Sequence, residues 1–261
     1  MNIFLSSALV IFVYFLILFI IGQLIKDNSI VDIGWGIGYI VLIGFHMLTA
    51  PIVNLSALLV SVLIIIWGLR LSYHIAKRNM GRGEDPRYEK MRARWGRKQK
   101  LNAFFKVYML QALFMYIIAT PIMITFAAGG DIFGNTIYIG LAIWFIGFLF
   151  EVIADNQLKN FKNKPQNKGK IMTKGLWRYS RHPNYFGEVT IWWGIFVITL
   201  SSFNGVMAIW SPILITYLLL FVSGIPMLEE KYKDNKEFIE YAKRTSVFFP
   251  LPPKRIKKED K

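Results

Sequence analysis

Three sets of polar residues recur at a spacing of four within or beside apolar stretches of the chain. Residues four apart lie on one face of a helix, so each set would form a polar stripe near a helix end. Ionisable groups are costly in hydrocarbon, and those found in a membrane therefore mark candidate functional sites. For any one stripe, ion pairs that fix a helix end are as good an explanation as a functional site. Convergence of all three stripes at one depth favours an enzyme site. The sets are Arg70, His74 and Arg78; Glu151, Asp155 and Lys159; and Asn184, Glu188 and Trp192.

The strongest local pattern is Gly-Leu-Trp-Arg-Tyr-Ser-Arg-His-Pro-Asn-Tyr-Phe-Gly-Glu over residues 175–188. Pro183 suits the first turn of a helix, where its missing N–H would have no partner anyway. Arg178, Arg181 and His182 precede that helix start, so free N–H donors and positive charge meet there. An anionic phosphate or carboxylate requires this combination. The pattern predicts an anion site, with an ordinary loop at the membrane surface as the alternative.

Metal and thiol chemistry are not expected. The chain has no cysteine, which excludes disulfides, thiolate nucleophiles and cysteine-based zinc sites. Its histidines, His46, His74 and His182, form no pair with metal-ligand spacing. A glycine-rich loop of the Walker or Rossmann type is also missing from the sequence. Any nucleotide would therefore be held by a different kind of pocket.

The composition indicates a membrane bundle as the scaffold for these residues. Hydrophobic residues make up 54% of the 261 residues, more than a soluble core needs. The net charge of +15 would suggest nucleic acid for a soluble chain. Nearly all basic residues, however, fall in segments 77–100, 159–181 and 231–261, each of which follows an apolar run, as cytoplasmic loops do. We therefore expect no nucleic-acid partner.

The apolar runs predict an all-α polytopic membrane bundle of about seven transmembrane helices, because isolated strands would leave backbone groups unpaired in lipid. The basic loops predict an N-terminus outside and a C-terminus in the cytoplasm. We expect one domain over residues 1–253, a basic cytoplasmic tail at 254–261, and a first span that is retained rather than cleaved. The spans are predicted at 3–25, 30–49, 52–76, 104–127, 135–154, 184–202 and 206–226.

Several stretches resemble the steroid 5-alpha-reductase family, in its bacterial branch of uncharacterised membrane proteins, and together they span most of the chain. The resemblance implies NADPH-dependent reduction of a carbon–carbon double bond conjugated to a carbonyl, in a steroid-like or other lipid substrate. The stretches are Val-Asp-Ile-Gly-Trp-Gly at 31–36, Trp-Gly-Leu-Arg-Leu-Ser-Tyr-His at 67–74 leading to Gly-Glu-Asp-Pro-Arg-Tyr at 83–88, Arg-Tyr-Ser-Arg-His-Pro-Asn-Tyr-Phe-Gly-Glu at 178–188, and Lys-Arg-Thr-Ser-Val-Phe-Phe-Pro-Leu-Pro-Pro-Lys at 243–254.

The resemblance also implies which residues form the site. Asp32, with Tyr73 or else Trp67, would hold the substrate carbonyl. Hydride addition to an enone builds negative charge on that oxygen, which a protonated carboxyl group and a phenol would stabilise. Burial favours the protonated form of a carboxyl group, so Asp32 is the candidate acid. The residues implied for NADPH are Asp155, Asn184 and Glu188, with Lys162 and Tyr179 on the same wall and Arg181 and His182 at the basic helix start.

Two other functions stay open. Arg181-His182-Pro183 with the later Glu229-Glu230 also resembles the isoprenylcysteine and phospholipid methyltransferases, which bind S-adenosylmethionine. Asn184 and Gly187-Glu188, together with Asp155 one helix earlier, favour the reductase. A non-catalytic lipid-binding or transport protein is the third possibility. We expect a bacterial plasma membrane, a hydrophobic substrate that arrives from the bilayer, contact with membrane lipids, and no protein partner.

Overall fold

In a computed structural model of the chain, residues 2–79, 81, 83–130 and 134–254 are described. Over these residues the chain is helical and has no β-strand, and Ser180 and Ser246 form an isolated bridge. The predicted all-α class is confirmed. Residues 255–261 of the predicted tail lie outside the described part. The helices are α1 (Ile3–Leu24), α2 (Ile30–Thr49), α3 (Leu55–Asn79), α4 (Pro86–Trp95), α5 (Gln99–Ala103), α6 (Leu110–Ile118), α7 (Thr120–Ala127), α8 (Thr136–Lys162), α9 (Pro183–Thr199), α10 (Trp210–Tyr217), α11 (Ile225–Glu230) and α12 (Lys236–Arg244).

Six helical segments within the described ranges are long and apolar enough to cross a membrane. The sequence predicts about seven spans, and the difference is α9. This helix covers most of the span predicted at 184–202 but ends at Thr199 and has 17 residues, at the lower limit of roughly 17–25 for a crossing. The six segments are Ile3–Leu24, Ile30–Thr49, Leu55–Asn79, Pro86–Ile118, Thr136–Lys162 and Gly205–Glu230.

Two of the predicted spans contain an interruption. The segment that covers most of 104–127 begins earlier, at Pro86, and its helix ends at Ile118 before α7 begins with Pro121 in its first turn. Proline lacks an N–H and clashes with the preceding turn, so the helix cannot run through it. Within 206–226, a π-helical turn at Leu218–Val222 and the residue Gly224 separate α10 from α11. An apolar run in the sequence therefore predicts a transmembrane span but does not predict where the helix within that span is interrupted.

The chain divides into two compact units, Met1–Ile137 with Ile198–Ser211, and Tyr138–Val197 with Pro212–Lys261. The single domain expected at 1–253 stays a prediction. In the first unit, α2 and α3 approach closely at Gly36 and Gly68, where a side chain on either residue would meet the backbone of the other. Gly44 of α2, by contrast, faces open space.

Glycines also bring α8 and α9 together in the second unit. A methyl group on Gly147 would lie 2.6 Å from the Ile191 nitrogen, and one on Gly187 would lie 2.5 Å from the Glu151 nitrogen. These contacts leave room only for glycine, and they fix the start of α9. The segment just before α9 is held from its other side by the C-terminal residues, because the Arg181 N–H donates to the Ser246 carbonyl oxygen at 2.8 Å.

Candidate functional site

A cleft in the second unit is lined by basic and aromatic side chains. It encloses about 120 Å³. Typical small-molecule pockets measure roughly 300–1,000 Å³, so the cleft has room for part of a large cofactor. Its basic side chains are Lys162, Lys170, Arg181 and His182, and its aromatic ones are Phe161, Trp177, Tyr232, Phe238 and Tyr241.

The acidic residue of this cleft, Glu229 near the end of α11, is bound by two consecutive residues that precede α9, Arg181 and His182. Arg181 holds it with two parallel hydrogen bonds, Nε to Oε1 at 2.8 Å and Nη2 to Oε2 at 3.0 Å. His182 Nε2 lies 2.9 Å from the same Oε1. A bidentate arginine–carboxylate pair is strong and geometrically specific. Arg181 thereby compensates the charge of Glu229, and Lys162 and Lys170 are two further basic side chains of the same cleft.

Backbone contacts fix the direction of the Arg181 side chain. Its Nη1 donates to the carbonyl oxygens of Ala242 and Thr245 at 3.1 and 3.3 Å. The Tyr241 hydroxyl donates to the carbonyl oxygens of Trp177 and Ser180. Burial raises the pKa of the Tyr241 phenol, so its hydroxyl stays a donor at neutral pH. α12 and the residues after it therefore hold the Arg181-His182 loop in place.

A second polar cluster lies in the first unit, around Asp32 in the first turn of α2. The Tyr88 hydroxyl donates to Asp32 Oδ1 at 2.7 Å, and Arg87 Nη2 donates to Oδ2 at 2.8 Å. Tyr88 is buried, and Gln111 Nε2 lies 3.4 Å from its hydroxyl oxygen. Asp32 thus serves as an acceptor, and the donor of the pair is a phenol from α4.

The loop before α4 adds two more acids to this cluster. Asp85 accepts from the Arg87 backbone N–H at 2.9 Å and so caps α4. Its side chain also pairs with Arg87, at 3.0 Å. Burial alone would raise the pKa of the Glu84 carboxyl group, but hydrogen bonds from Arg92 and from the Asn28 backbone outweigh it and hold the pKa below its usual range. Both acids are therefore charged at neutral pH.

The residues predicted to bind the cofactor divide into two groups. Lys162, Arg181 and His182 line the cleft. α9 begins at Pro183, as the sequence predicts. The Oδ1 atom of Asn184 is buried and has no hydrogen-bond partner among the described residues, so it is an acceptor that a ligand could use. The predicted residues outside the described lining of the cleft are Asp155, Tyr179, Asn184 and Glu188.

The residues predicted to hold the substrate carbonyl are Asp32 with Tyr73 or Trp67. Tyr73 is 65% exposed, and its hydroxyl accepts from Lys77 Nζ at 3.1 Å. Trp67 is buried and packs edge-on against Tyr39, with ring centroids 5.8 Å apart. The phenol that donates to Asp32 is instead Tyr88. Sequence reasoning missed it, although the Asp-Pro pair at 85–86, a cap followed by proline, marks a helix that starts just before Tyr88.

Comparisons with known proteins agree with the resemblance. An uncharacterized protein of Schizosaccharomyces pombe is 26% identical over 271 residues, covering 90% of this chain and 78% of that protein. The 3-oxo-5-alpha-steroid 4-dehydrogenase 1 of Bos taurus is 30% identical over 113 residues, or 43% of this chain and 40% of the enzyme. The probable O-methyltransferase ustE of Ustilaginoidea virens is 41% identical over 66 residues, or 25% of this chain and 23% of that protein. No solved structure gives a significant match.

The chain therefore spans 40% or less of the two named enzymes. A family model covers much more of it. That model, DUF1295, is described as a protein of unknown function and matches residues 18–245. This range includes both the Asp32–Tyr88 pair and the Arg181–Glu229 cleft. The chain is a multi-pass membrane protein that belongs to the DUF1295 family, and it is similar to the steroid 5-alpha-reductases.

Proposed function

We propose that this protein is a membrane-embedded, NADPH-dependent reductase of a carbon–carbon double bond conjugated to a carbonyl, acting on a hydrophobic lipid that arrives from the bilayer. The observation that carries the proposal is the 2.7 Å hydrogen bond between the Tyr88 hydroxyl and Asp32. It joins a phenol to an acid in the second helix, which are the residue types that carbonyl recognition needs. The partial match to a steroid dehydrogenase supports the same reaction class.

The Tyr88 hydroxyl is the group that meets the developing charge. When hydride adds to the carbon β to a carbonyl, the electron pair moves onto the carbonyl oxygen, where a positioned donor stabilises it. That oxygen would compete with Asp32 for the Tyr88 hydrogen. Arg87 supplies Asp32 with a second donor, at 2.8 Å, so the carboxylate keeps a partner when the hydroxyl turns away. Tyr88 then passes its proton to the enolate oxygen, the enol that results tautomerises to the saturated ketone, and water returns a proton to the Tyr88 phenolate.

The cleft of the second unit suits the anionic part of a dinucleotide. Lys162 and Lys170 would hold phosphate groups, and Tyr232 and Phe238 provide aromatic surface for an adenine ring. NADPH, when bound, supplies the hydride. The buried acceptor Oδ1 of Asn184 supports a contact with a neutral donor of the cofactor. The other residues that we propose for contacts with NADPH are Asp155, Tyr179, Arg181, His182 and Glu188.

A pair of tyrosine variants tests the reaction. Tyr88→Phe removes the proton donor and should lower turnover about a hundredfold or more, the scale of general acid catalysis. Tyr73→Phe is the matched control and should keep near-parental turnover. The assay follows NADPH oxidation by purified protein with a panel of hydrophobic enones, including a 4-ene-3-ketosteroid. Equal losses in the two variants would contradict the assignment of Tyr88.

A membrane methyltransferase is the second candidate. Arg181 and His182 both contact Glu229, and Glu230 follows, which matches the motif pair of the isoprenylcysteine and phospholipid methyltransferases. The partial match to a probable O-methyltransferase adds weight to this candidate. A ligand that binds only the folded state raises the melting midpoint. Stabilisation by S-adenosylmethionine and not by NADPH would transfer the assignment to the methyltransferase. No shift with either ligand would favour a lipid-binding or transport role.

A further inference from the structure

Two oppositely charged side chains, Glu84 and Arg92, tie the start of α4 to the turn between α1 and α2. We propose that Glu84 and Arg92 are positioning residues that hold Tyr88 against Asp32. The use of Tyr88 on a substrate carbonyl rests on the proposed function. The placement of its ring is a property of the fold and can be tested without a substrate.

Glu84 binds a partner on each side. Its Oε1 accepts from the Asn28 backbone N–H at 2.8 Å and from Arg92 Nη2 at 2.8 Å, while its Oε2 accepts from Arg92 Nε at 3.0 Å. Asn28 lies in the turn between α1 and α2, and Arg92 lies in α4. The carboxylate of Glu84 therefore joins these two elements directly.

Arg92 contacts the same turn independently. Its Nη2 donates to the Lys26 carbonyl oxygen at 3.0 Å. Lys26 has a φ of 57°, in the left-handed region, which lysine rarely adopts. Arg92 thus binds a carbonyl that the end of α1 leaves without a helical partner. The turn between α1 and α2 is held at Lys26 and Asn28 together.

The spacing along α4 explains why this connection controls Tyr88. Tyr88 and Arg92 are four residues apart and share one face of α4. When Arg92 is fixed on the turn, that face points toward the same turn and toward Asp32, which lies four residues after Asn28. Tyr88 is only 6% exposed there. Without the pair, α4 would keep its Asp85 cap but lose the contacts that set its rotation.

A purely structural role for the pair would predict something different. In that case, Glu84→Gln would lower the melting midpoint and leave the surroundings of the Tyr88 ring unchanged in the folded protein. The positioning role predicts a changed environment at Tyr88 even in protein that stays folded. The test therefore needs a probe on the Tyr88 ring itself, read at a temperature well below the melting midpoint.

The experiment incorporates 3-fluorotyrosine at position 88 and records its fluorine NMR signal in detergent micelles. Asp32→Asn gives the reference shift for a weakened hydroxyl contact. We expect Glu84→Gln and Arg92→Lys to move the signal toward this reference and to increase its sensitivity to a soluble paramagnetic probe. Glu89→Gln, an exposed acid on the same helix, is the matched control and should leave the signal in place. An unmoved signal in both folded variants would overturn the proposal, and if Glu84→Gln fails to fold, Arg92→Lys alone decides.

A second arm separates this inference from the proposed reaction. With an enone that the parental protein reduces, Glu84→Gln should lower kcat roughly tenfold while the KM for NADPH stays unchanged, because misplacement of a reacting group slows the chemical step. If the parental protein reduces no enone, the proposed function fails, and the fluorine signal still decides the role of Glu84 and Arg92. A fall in kcat with an unmoved signal would contradict the positioning role.

Discussion

Two basic regions of the molecule differ in whether they contain acidic residues of their own. In the acid-paired region, residues 83–92, the guanidinium groups of Arg87 and Arg92 bind Asp32, Asp85 and Glu84. The acid-free region, residues 159–181, contains eight basic and no acidic residues. Its Arg181 binds a carboxylate from outside the region, Glu229. Six of its other basic residues are exposed lysines, and the seventh is the exposed Arg178.

The difference separates two uses of positive charge. Where acidic residues lie nearby, the guanidinium groups of Arg87 and Arg92 bind them and fix the rotation of α4 and the position of the Tyr88 phenol. A segment without acids of its own carries a net positive charge, and the field of that charge attracts an anion, such as a carboxylate or a phosphate. The acid-paired region therefore fixes local geometry, and binding of an anion is the role that the proposed function gives to the acid-free region.

The first prediction concerns the side of the membrane on which each region lies, and its outcome is all or none. Both regions belong to basic loops, which favour the cytoplasmic side. A single cysteine at Gly83 or at Gln166 should therefore resist an impermeant thiol reagent in intact cells. Cysteines at Gly129 and Asn204, in the connections predicted to lie outside, should react. The chain has no native cysteine to interfere. Labelling at position 166 would overturn the orientation.

The second prediction concerns Arg181, a base of the acid-free region whose partner is Glu229. Its side chain is 10% exposed and that of Glu229 is 24% exposed. Glu229→Gln should cost about 3 kcal/mol, the lower end of the range for breaking a buried pair. The matched control is Glu230→Gln. The side chain of Glu230 is 68% exposed and that of its partner Lys233 is 59% exposed, so this pair should contribute about 0–1 kcal/mol. Thermal unfolding in detergent compares the two variants, and equal melting midpoints would argue against a structural role for the Arg181–Glu229 pair.

The third prediction concerns the lysines that line the cleft. Replacing both Lys162 and Lys170 by glutamine should weaken NADPH binding about tenfold, because two exposed lysines that pair with phosphate contribute up to about 1 kcal/mol each. The same change at Lys164 and Lys168, which are exposed and outside the described lining, is the matched control. Isothermal titration of both double variants provides the measurement. If the control pair weakens binding as much, a general field rather than a cleft holds the phosphates.

Sequence reasoning predicts the elements of this fold better than the contacts between them. Hydrophobic runs predict the spans, and Pro183 predicts the start of α9, because these features depend on neighbouring residues alone. The Asp32–Tyr88 pair joins residues 56 positions apart. Periodicity within one helix cannot reveal such a pair. The resemblance therefore indicates the acid, Asp32, and its choice of Tyr73 or Trp67 on α3 for the substrate carbonyl stays a prediction. The phenol that donates to Asp32 in the fold, Tyr88 of α4, carries no such signal.

The same limit applies to the second unit. Arg181 and His182 were predicted to bind an anion, and the nearest anion in the fold is the protein's own Glu229, at 2.8 and 2.9 Å. A basic helix start in a sequence does not distinguish an internal carboxylate from a ligand. A signal that the sequence does offer is the run of eight basic and no acidic residues over 159–181, which favours an anion of either kind. Lys170, which the sequence does not single out as a site residue, also lines the cleft.

The last prediction has the smallest effect and concerns acid. Hydrogen bonds to Arg92 and Asn28 hold the pKa of Glu84 below its usual range, and those to Arg87 do the same for Asp85, although burial opposes both shifts. A lowered folded-state pKa adds stability that is complete above the unfolded value, about 4, and is lost as the pH falls through the folded value. The free energy of unfolding should therefore decrease when the pH is lowered below about 4, by about 1.4 kcal/mol for each unit by which the pKa is depressed. The melting midpoint should decrease with it. Glu84→Gln should flatten this dependence, whereas Glu89→Gln should retain it. Parallel curves for the two variants would mean that the acid-paired region owes its stability to packing rather than to its charges.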